Sequence, residues 1–184
     1  DLMEKAPKTP EELIEISLKL RDSGKVKYGY VWQGRQYEGL SCVFLEVVNA
    51  FGGEWINDLN EIKLTNKQSI DAANWLKKLI SSGASPKSVT NFSETEALQS
   101  FKEGDAALMR NWPYAWAELQ KDSSAVKGKV GIATMIANND QKPTSTLGSW
   151  GFSIIKGSKN KAEAYKAIKY LSSTKSQKEL FLKY

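Results

Sequence analysis

The apolar residues of this chain recur mostly at helical spacing, between residues that start and stop helices. Residues 9–12, Thr-Pro-Glu-Glu, combine a hydroxyl cap, a first-turn proline and an early glutamate ahead of an apolar face over 13–20. They predict a helix that ends before the Asp-Ser-Gly of residues 22–24. Residues 1–7 are a polar lead-in that resembles the tail of a preceding helix.

Further helices follow from the same kind of pattern. The strongly apolar run 40–50 ends at a Gly-Gly pair and indicates a buried helix. Capping boxes at 65–68 and 93–96 each precede a helical pattern, the second of which leads to Gly104. The further predicted helices are 40–50, 68–80, a short one that leads to Gly104, a turn or more from Pro113, 161–171, and a final one capped by the Thr-Lys-Ser-Gln of residues 174–177.

Short apolar or aromatic runs lie between these helices and have the length of strands. They predict strands over 28–32, 106–109, 129–135 and 151–155, and a small hairpin within 54–62. Short strands separated by amphipathic helices of 10 to 15 residues predict an α/β protein with a layered sheet flanked by helices.

The stretch 101–116, FKEGDAALMRNWPYAW, is the most informative part of the chain. After a glycine turn and a short strand, it places Trp112, Tyr114 and Trp116 where the strand passes into a helix. Aromatic rings at such a strand end can stack on the apolar face of a sugar while polar groups bind its hydroxyls. The alternative is that Trp112 and Trp116, four residues apart, are core aromatics; we expect Trp116 in the core.

Composition narrows the class of protein. The 184 residues are 41% hydrophobic and 26% charged, which is globular and allows one domain or a tight pair of subdomains. The net charge is +5, but lysines alternate with acids and form no basic stripe, so no nucleic-acid partner is predicted. The lone Cys42 excludes an internal disulfide. No signal peptide is recognisable, which fits a cytoplasmic protein, a mature form or an expressed piece.

The residue inventory also excludes most catalytic machinery. The chain contains no histidine, which removes Ser-His-Asp and Cys-His catalysis, and its single cysteine cannot build a zinc cage. Glycine-rich dinucleotide and phosphate motifs are missing as well, so no cofactor and no metal are expected. The remaining enzymatic alternative is a glycan-acting enzyme that uses a Glu pair, Glu38 and Glu46, although neither lies in a recognisable catalytic signature.

Five segments, in order, resemble the extracellular solute-binding proteins that supply sugars to ABC importers, in the trehalose/maltose-type branch. The aromatic stretch is similar to the family segment F..GKAAM...GPWA, and the others are 7–20, 28–40, 49–55 and 146–164. The resemblance covers nearly the whole chain. It implies a periplasmic-binding-protein-like fold of type II, in which two lobes enclose the ligand, and a non-catalytic role.

The resemblance also implies a division of the chain. Residues 1–145 correspond to the second, C-terminal lobe, and 146–184 resemble a segment that returns to the first lobe. Since family members are about twice as long, the chain resembles a fragment or a dissected domain. The implied function is binding of a di- or oligosaccharide outside the cytoplasm, periplasmic or tethered at the cell surface, with an ABC permease in the membrane as partner. An interaction module that acts through its basic surface is a further hypothesis.

By the resemblance, Trp112 takes the place of the family's sugar-stacking tryptophan, with Tyr114 beside it. Gly148, Ser149 and Trp150 match a Gly-x-Trp that lines the family's cleft.

Two further groups of residues are assigned to the cleft. Tyr37 and Glu38 match a tyrosine/acid pair of the family's cleft-facing loop, and Gln33 and Arg35 are nearby donors. A surface salt bridge is the alternative for Arg35. For Arg110 both contact with the ligand and anchoring of the loop are open, and Glu46 is expected either to be paired or to reach the cleft.

Overall fold

Two short parallel strands form the sheet at the centre of residues 1–146. In the computed structural model, which describes residue 3 and residues 5–183, β1 (Tyr28–Val31) pairs with β2 (Ala106–Met109). Tyr28 lies opposite Ala106, and Val31 opposite Met109. Because parallel strands end at the same edge of a sheet, the loops that begin at residues 32 and 110 are brought side by side.

Helices occupy most of the remaining chain, so the predicted α/β class is confirmed. Internal contacts divide the chain into two compact units, 1–146 and 147–184. The first unit contains α1 (Pro10–Asp22), α2 (Glu38–Ala50), α3 (Lys67–Ser81), α4 (Glu94–Lys102) and α5 (Ala115–Leu119), plus a short 3-10 helix (Lys87–Asn91) that the sequence did not predict. The second contains α6 (Lys161–Leu171) and α7 (Thr174–Lys183).

Helix starts follow the predicted capping residues closely. The Thr9 hydroxyl accepts a hydrogen bond from the Glu12 N–H (3.2 Å), and Ser93 and Glu96 form the full reciprocal box of α4. The cap of α3 is Asn66, which accepts from the Ser69 N–H at 2.8 Å, so the capping box predicted at 65–68 is wrong by one residue.

Two other helix starts differ from prediction. Ser173, not Thr174, caps α7 by accepting a hydrogen bond from the Ser176 N–H (3.2 Å). Pro113 lies in a turn ahead of α5 and not in its first turn, because the helix begins only at Ala115. The helix tail predicted over residues 1–7 falls partly on residues 1, 2 and 4, which are outside the described residues.

The core lies between the sheet and the helices packed on it. α1 packs on both strands, α4 packs on β2, and α2 packs against α3. Gly29 permits this close approach, since a Cβ there would overlap the Ser17 carbonyl oxygen on α1. The largest buried cluster includes Leu13, Ile14, Tyr30, Trp32, Val43, Val47, Val48, Trp75, Leu76, Leu79 and Val89.

Two predicted strands are not formed. Residues 129–135 and 151–155 have no regular secondary structure, and the hairpin predicted within 54–62 is reduced to one antiparallel bridge between Ile56 and Ile62. A strand exists only through hydrogen bonds to a neighbouring strand. Within the described residues only β1 and β2 pair, so the apolar runs at 129–135 and 151–155 have no ladder to join.

The second unit is a helical pair with little buried surface of its own. No residue of α6 is buried, and Tyr165, Tyr170 and Phe181 are exposed. In the described part of the chain, no helix is both long enough and apolar enough to cross a membrane.

Substitution of Gly104 tests how much this glycine contributes to the end of α4. Its φ of +82° lies in the left-handed region, although a Cβ would meet only Val126 at 3.9 Å. We therefore expect Gly104→Ala to lower the free energy of unfolding by about 1–2 kcal/mol through backbone strain alone. Urea denaturation measures this difference.

The matched control is Gly131→Ala, a glycine with no positive φ and with open space where a Cβ would lie. We expect this variant to be neutral or slightly stabilising. Equal destabilisation by both substitutions would contradict the conformational explanation.

Candidate functional site

The loops that follow β1 and β2 meet at the carboxyl edge of the sheet. The Arg110 N–H donates to the Val31 carbonyl (3.0 Å), and the Gln33 side-chain amide donates to the Arg110 carbonyl (3.0 Å). This edge is where ligands bind in open α/β sheets. The candidate site is therefore positioned by the strand pair itself.

A buried ion pair lies directly beneath this edge. The Arg110 guanidinium donates to both Glu46 carboxylate oxygens, through Nε at 2.9 Å and Nη2 at 2.6 Å, and to the Gln33 side-chain oxygen through Nη1 at 3.0 Å. Arg110 and Glu46 are each only 4% exposed. Burial disfavours the Arg110 cation, but its hydrogen bonds and attraction to Glu46 outweigh this and raise its pKa.

Thr146 also binds the carboxylate of this ion pair. The Thr146 N–H donates to Glu46 Oε1 (3.0 Å), and its hydroxyl donates to the Cys42 carbonyl (3.0 Å). The buried Cys42 thiol donates to Glu38 Oε1 (3.1 Å). Burial, followed by this contact, raises the pKa of the thiol to about 11.

The Trp112 ring is held at two points. The Arg110 guanidinium carbon lies 4.3 Å from the ring centroid, a cation–π contact over one face. The indole Nε1–H donates to Glu94 Oε1 (2.9 Å). Asn111 joins the same group, since its amide donates to the Glu94 carbonyl (3.1 Å) and its side-chain oxygen accepts the Trp112 N–H (2.8 Å). The ring is thus fixed in direction at the sheet edge.

Glu94 connects Trp112 to Tyr37. The Tyr37 hydroxyl donates to Glu94 Oε2 (2.6 Å), so the two carboxylate oxygens receive one donor each. Partial burial opposes ionisation of Glu94, but the hydrogen bonds from Tyr37 and Trp112 outweigh it and lower its pKa. Burial and the Glu94 contact raise the pKa of Tyr37. At neutral pH the site therefore holds a charged carboxylate and a protonated phenol.

The structure brings together some of the predicted site residues. Trp112 and Tyr37 both donate hydrogen bonds to the Glu94 carboxylate. Tyr114 is about half exposed. Its partial burial, followed by the negative charge of Glu94, raises the pKa of Tyr114. Gln33 is completely buried and both ends of its amide bind Arg110.

Other predicted residues lie apart from this cluster. Arg35 and Glu38 are exposed, the first in the loop before α2 and the second in its first turn. Gly148, Ser149 and Trp150 belong to the second unit, where all three are exposed and the Trp150 side chain is fully so.

Trp116 is not a core residue, contrary to prediction. Its side chain is 45% exposed, whereas Ala115 and Leu119 of the same short helix are buried. Residues four apart share a helix face, and Trp116 is about 100° around the axis from Ala115. The single turn of α5 can bury only one of these faces.

Glu94 is the main polar residue of the cluster that sequence reasoning missed. It appears in the sequence as a first-turn acid of a capping box, a sufficient local explanation. Its partners are 57 and 18 residues away. The one available signal is its proximity in sequence to the aromatic stretch, which does not distinguish it from Glu96.

Comparison with known proteins identifies the family. Residues 1–178 match the family model described as bacterial extracellular solute-binding protein. The chain belongs to this family. The family consists of binding proteins, not enzymes, so the non-catalytic interpretation holds over the glycan-acting alternative. A relative from Deinococcus radiodurans, named "Probable ABC transporter-binding protein", is 40% identical over 177 residues, which are 94% of this chain and 42% of that protein.

Solved structures of solute-binding proteins confirm the fold. Maltose-bound T. maritima MalE3 superposes with a TM-score of 0.87 and 36% identity over 95% of this chain and 45% of that one. An ABC transporter solute-binding protein from Agrobacterium radiobacter, in complex with ribitol, superposes with a TM-score of 0.83 and 27% sequence identity. The match covers 97% of this chain and 45% of that one. The type II periplasmic-binding-protein lobe is thereby confirmed. The chain spans less than half the length of these relatives.

Metal binding has no support in the described residues, where no cluster of three or more acidic, cysteine or histidine side chains could hold an ion. The polar character of the site comes from Glu94, Tyr37 and Asn111.

The lowered pKa of Glu94 predicts a pH dependence of stability. A carboxylate whose pKa falls on folding stabilises the protein above its ordinary pKa of 4.5, and this contribution is lost as the pH falls through the lower folded-state value. We expect Glu94→Gln to lower the free energy of unfolding at pH 7, with a difference from wild type that shrinks towards pH 3. Urea unfolding at several pH values measures this difference.

The control for this experiment is Glu11→Gln, which changes an exposed first-turn glutamate of α1. We expect a small effect from it, since exposed helix-dipole interactions are worth only about 0.3–1 kcal/mol. A Glu94→Gln difference that stayed constant between pH 3 and 7 would contradict the role assigned to the ionised carboxylate.

Proposed function

We propose that the site at the carboxyl edge of the sheet is the aromatic wall of a carbohydrate-binding cleft in an ABC-importer receptor. The observation that carries this proposal is the fixed Trp112 ring beside a charged carboxylate. The ring gives a sugar an apolar stacking surface, while Glu94 and Tyr37 supply polar groups. A carboxylate has about four acceptor positions. Two protein donors leave room on Glu94 for hydroxyls of a ligand.

Known relatives support a polyhydroxyl ligand. Two of the similar solved structures have maltose and ribitol as bound molecules. Both are rich in hydroxyls, which require charged or neutral acceptors at defined positions. We propose a di- or oligosaccharide of the maltose or trehalose type for this chain, because a stacked indole favours a ring over an open-chain polyol.

The predicted residues take different parts in this proposal. Trp112 and Tyr114 supply stacking surface and Tyr37 a hydroxyl, while exposed Arg35 and Glu38 contribute from the adjacent loop. We move Gln33 from ligand contact to support, since its side chain is completely buried and both ends of its amide bind Arg110.

The second unit enters the proposal through its exposed aromatic residue. We propose that Trp150, with the Gly148 and Ser149 backbone before it, lines the cleft of the complete receptor. In this view residues 1–145 form the second lobe and 146–184 return to the first, and lobe closure reports a loaded receptor to a membrane permease. The receptor would act outside the cytoplasm, in the periplasm or tethered at the cell surface.

Binding of maltose tests the proposal. We expect the 184-residue chain to bind maltose with a Kd in the millimolar range or weaker, a binding free energy of about −4 kcal/mol, since one wall leaves many sugar hydroxyls in water. Trp112→Ala should remove on the order of 1–3 kcal/mol of this, so that chemical shifts in an NMR titration no longer saturate.

Trp116→Ala is the matched control, because it removes an exposed tryptophan outside the Glu94 cluster. It should leave the maltose affinity unchanged. Equal affinity of Trp112→Ala and wild type would contradict stacking, and micromolar binding by wild type would contradict the single-wall interpretation.

Turnover separates this proposal from the glycan-acting enzyme. Glu46 is bound by Arg110 and Thr146 and is not available to transfer a proton to a sugar. We therefore expect no release of glucose from maltose or trehalose by the wild-type chain in a chromatographic assay. Cleavage that disappears in Glu38→Gln would support the enzyme instead.

A further inference from the structure

We infer that Arg110 is the positioning residue of Trp112: its guanidinium covers one face of the indole and leaves the opposite face as the surface on which a ligand stacks. This inference rests on the proposed function and adds to it the side from which the sugar approaches.

The immobility of Arg110 is the first step. Its backbone N–H donates to the Val31 carbonyl and its carbonyl accepts from the Gln33 amide. Its side chain makes three more hydrogen bonds, two to Glu46 and one to Gln33. A planar guanidinium with these partners has one orientation, and a lysine at the same position could not reproduce the fork.

Contact with the ring is the second step. The guanidinium carbon is 4.3 Å from the Trp112 centroid, which leaves no space for a sugar between the two groups. Rotation of the ring about its own bonds is also opposed by the hydrogen bond from Nε1 to Glu94 (2.9 Å). Two contacts from different parts of the fold, the residue after β2 and the start of α4, therefore determine the plane of the ring and the face that Arg110 occupies.

The support of Glu46 is the third step. Glu46 Oε1 accepts from the Thr146 N–H as well as from Arg110, and the Thr146 hydroxyl is anchored on the Cys42 carbonyl. Glu46 is thus held from the end of the first unit while it holds the arginine. A fixed ring loses little side-chain freedom when a sugar binds, which improves affinity without a new ligand contact.

Arg110→Lys tests this inference in the 184-residue chain, with Arg21→Lys as the matched control. Arg21 is an arginine of α1 that contacts Asp22 and the Gly83 carbonyl. The readouts are the ¹⁵N–¹H indole signal of Trp112, assigned by Trp112→Phe, and maltose titration. We expect a single Trp112 signal in wild type and in Arg21→Lys, and a broadened or divided signal in Arg110→Lys, with roughly tenfold weaker maltose binding.

The readouts separate positioning from structural support. A merely structural role for Arg110 would lower the unfolding midpoint but leave both the Trp112 signal and the maltose affinity unchanged below it, and this result would overturn the inference. If wild type fails to respond to maltose while its Trp112 signal still depends on Arg110, the proposed function fails and positioning stands. Equal maltose binding by wild type and Arg110→Lys would overturn positioning and leave the proposed function intact.

A second measurement covers the case in which Arg110→Lys does not fold. Ring current from Trp112 should displace the Arg110 Nε–H resonance of the wild-type protein, because Nε is bonded to the guanidinium carbon that lies 4.3 Å from the ring centroid. Trp112→Leu should remove the displacement, whereas Trp116→Leu should not. An Arg110 resonance that is the same in wild type and Trp112→Leu would overturn the inference.

Discussion

The rest of the first unit depends on one almost completely buried arginine, Arg110. Breaking a buried ion pair costs about 3–5 kcal/mol, because the remaining charge has no water to solvate it. The fold must therefore deliver Glu46 from α2, Gln33 from the loop after β1 and Arg110 from the end of β2 to one point. Parallel pairing of the strands makes this possible, since both loops leave the sheet at the same edge.

The same ion pair also supports the aromatic cluster, although this cluster lies in a loop. Trp112 packs against the Arg110 guanidinium, which cannot move without breaking its hydrogen bonds. Glu94 is the first residue of α4, and that helix fixes its backbone. Rigid support below and polar groups beside the ring are what a binding surface for a rigid, hydroxyl-rich ligand requires.

Sequence reasoning succeeded where the determining interactions are local. Caps at Thr9 and Ser93 and the stop at Gly104 depend on residues within one helical turn, so the helices they bound were correctly predicted. The strands predicted at 129–135 and 151–155 depend on partners elsewhere, and no such partner exists within the described residues. Apolar character alone cannot create a ladder.

The candidate site shows the same division. Trp112 and Tyr37 were selected by the resemblance, while the residue that joins them, Glu94, was hidden behind its capping function. The sequence does not distinguish ligand contact from loop anchoring for Arg110. Its burial and its hydrogen bond to Glu46 favour anchoring of the loop. The sequence predicts that Gln33 contacts the ligand because its side chain is polar. A buried guanidinium also requires polar partners, and Gln33 binds Arg110 instead.

The single cysteine has a consequence for chemistry outside the cell. With a pKa of about 11, the Cys42 thiol is ionised in only about one molecule in ten thousand at pH 7. Thiol–disulfide exchange requires the thiolate and access to it, and burial denies both. Under oxidising conditions this sulfur would thus remain an inert apolar group that forms neither mixed disulfides nor cross-links between copies of the chain.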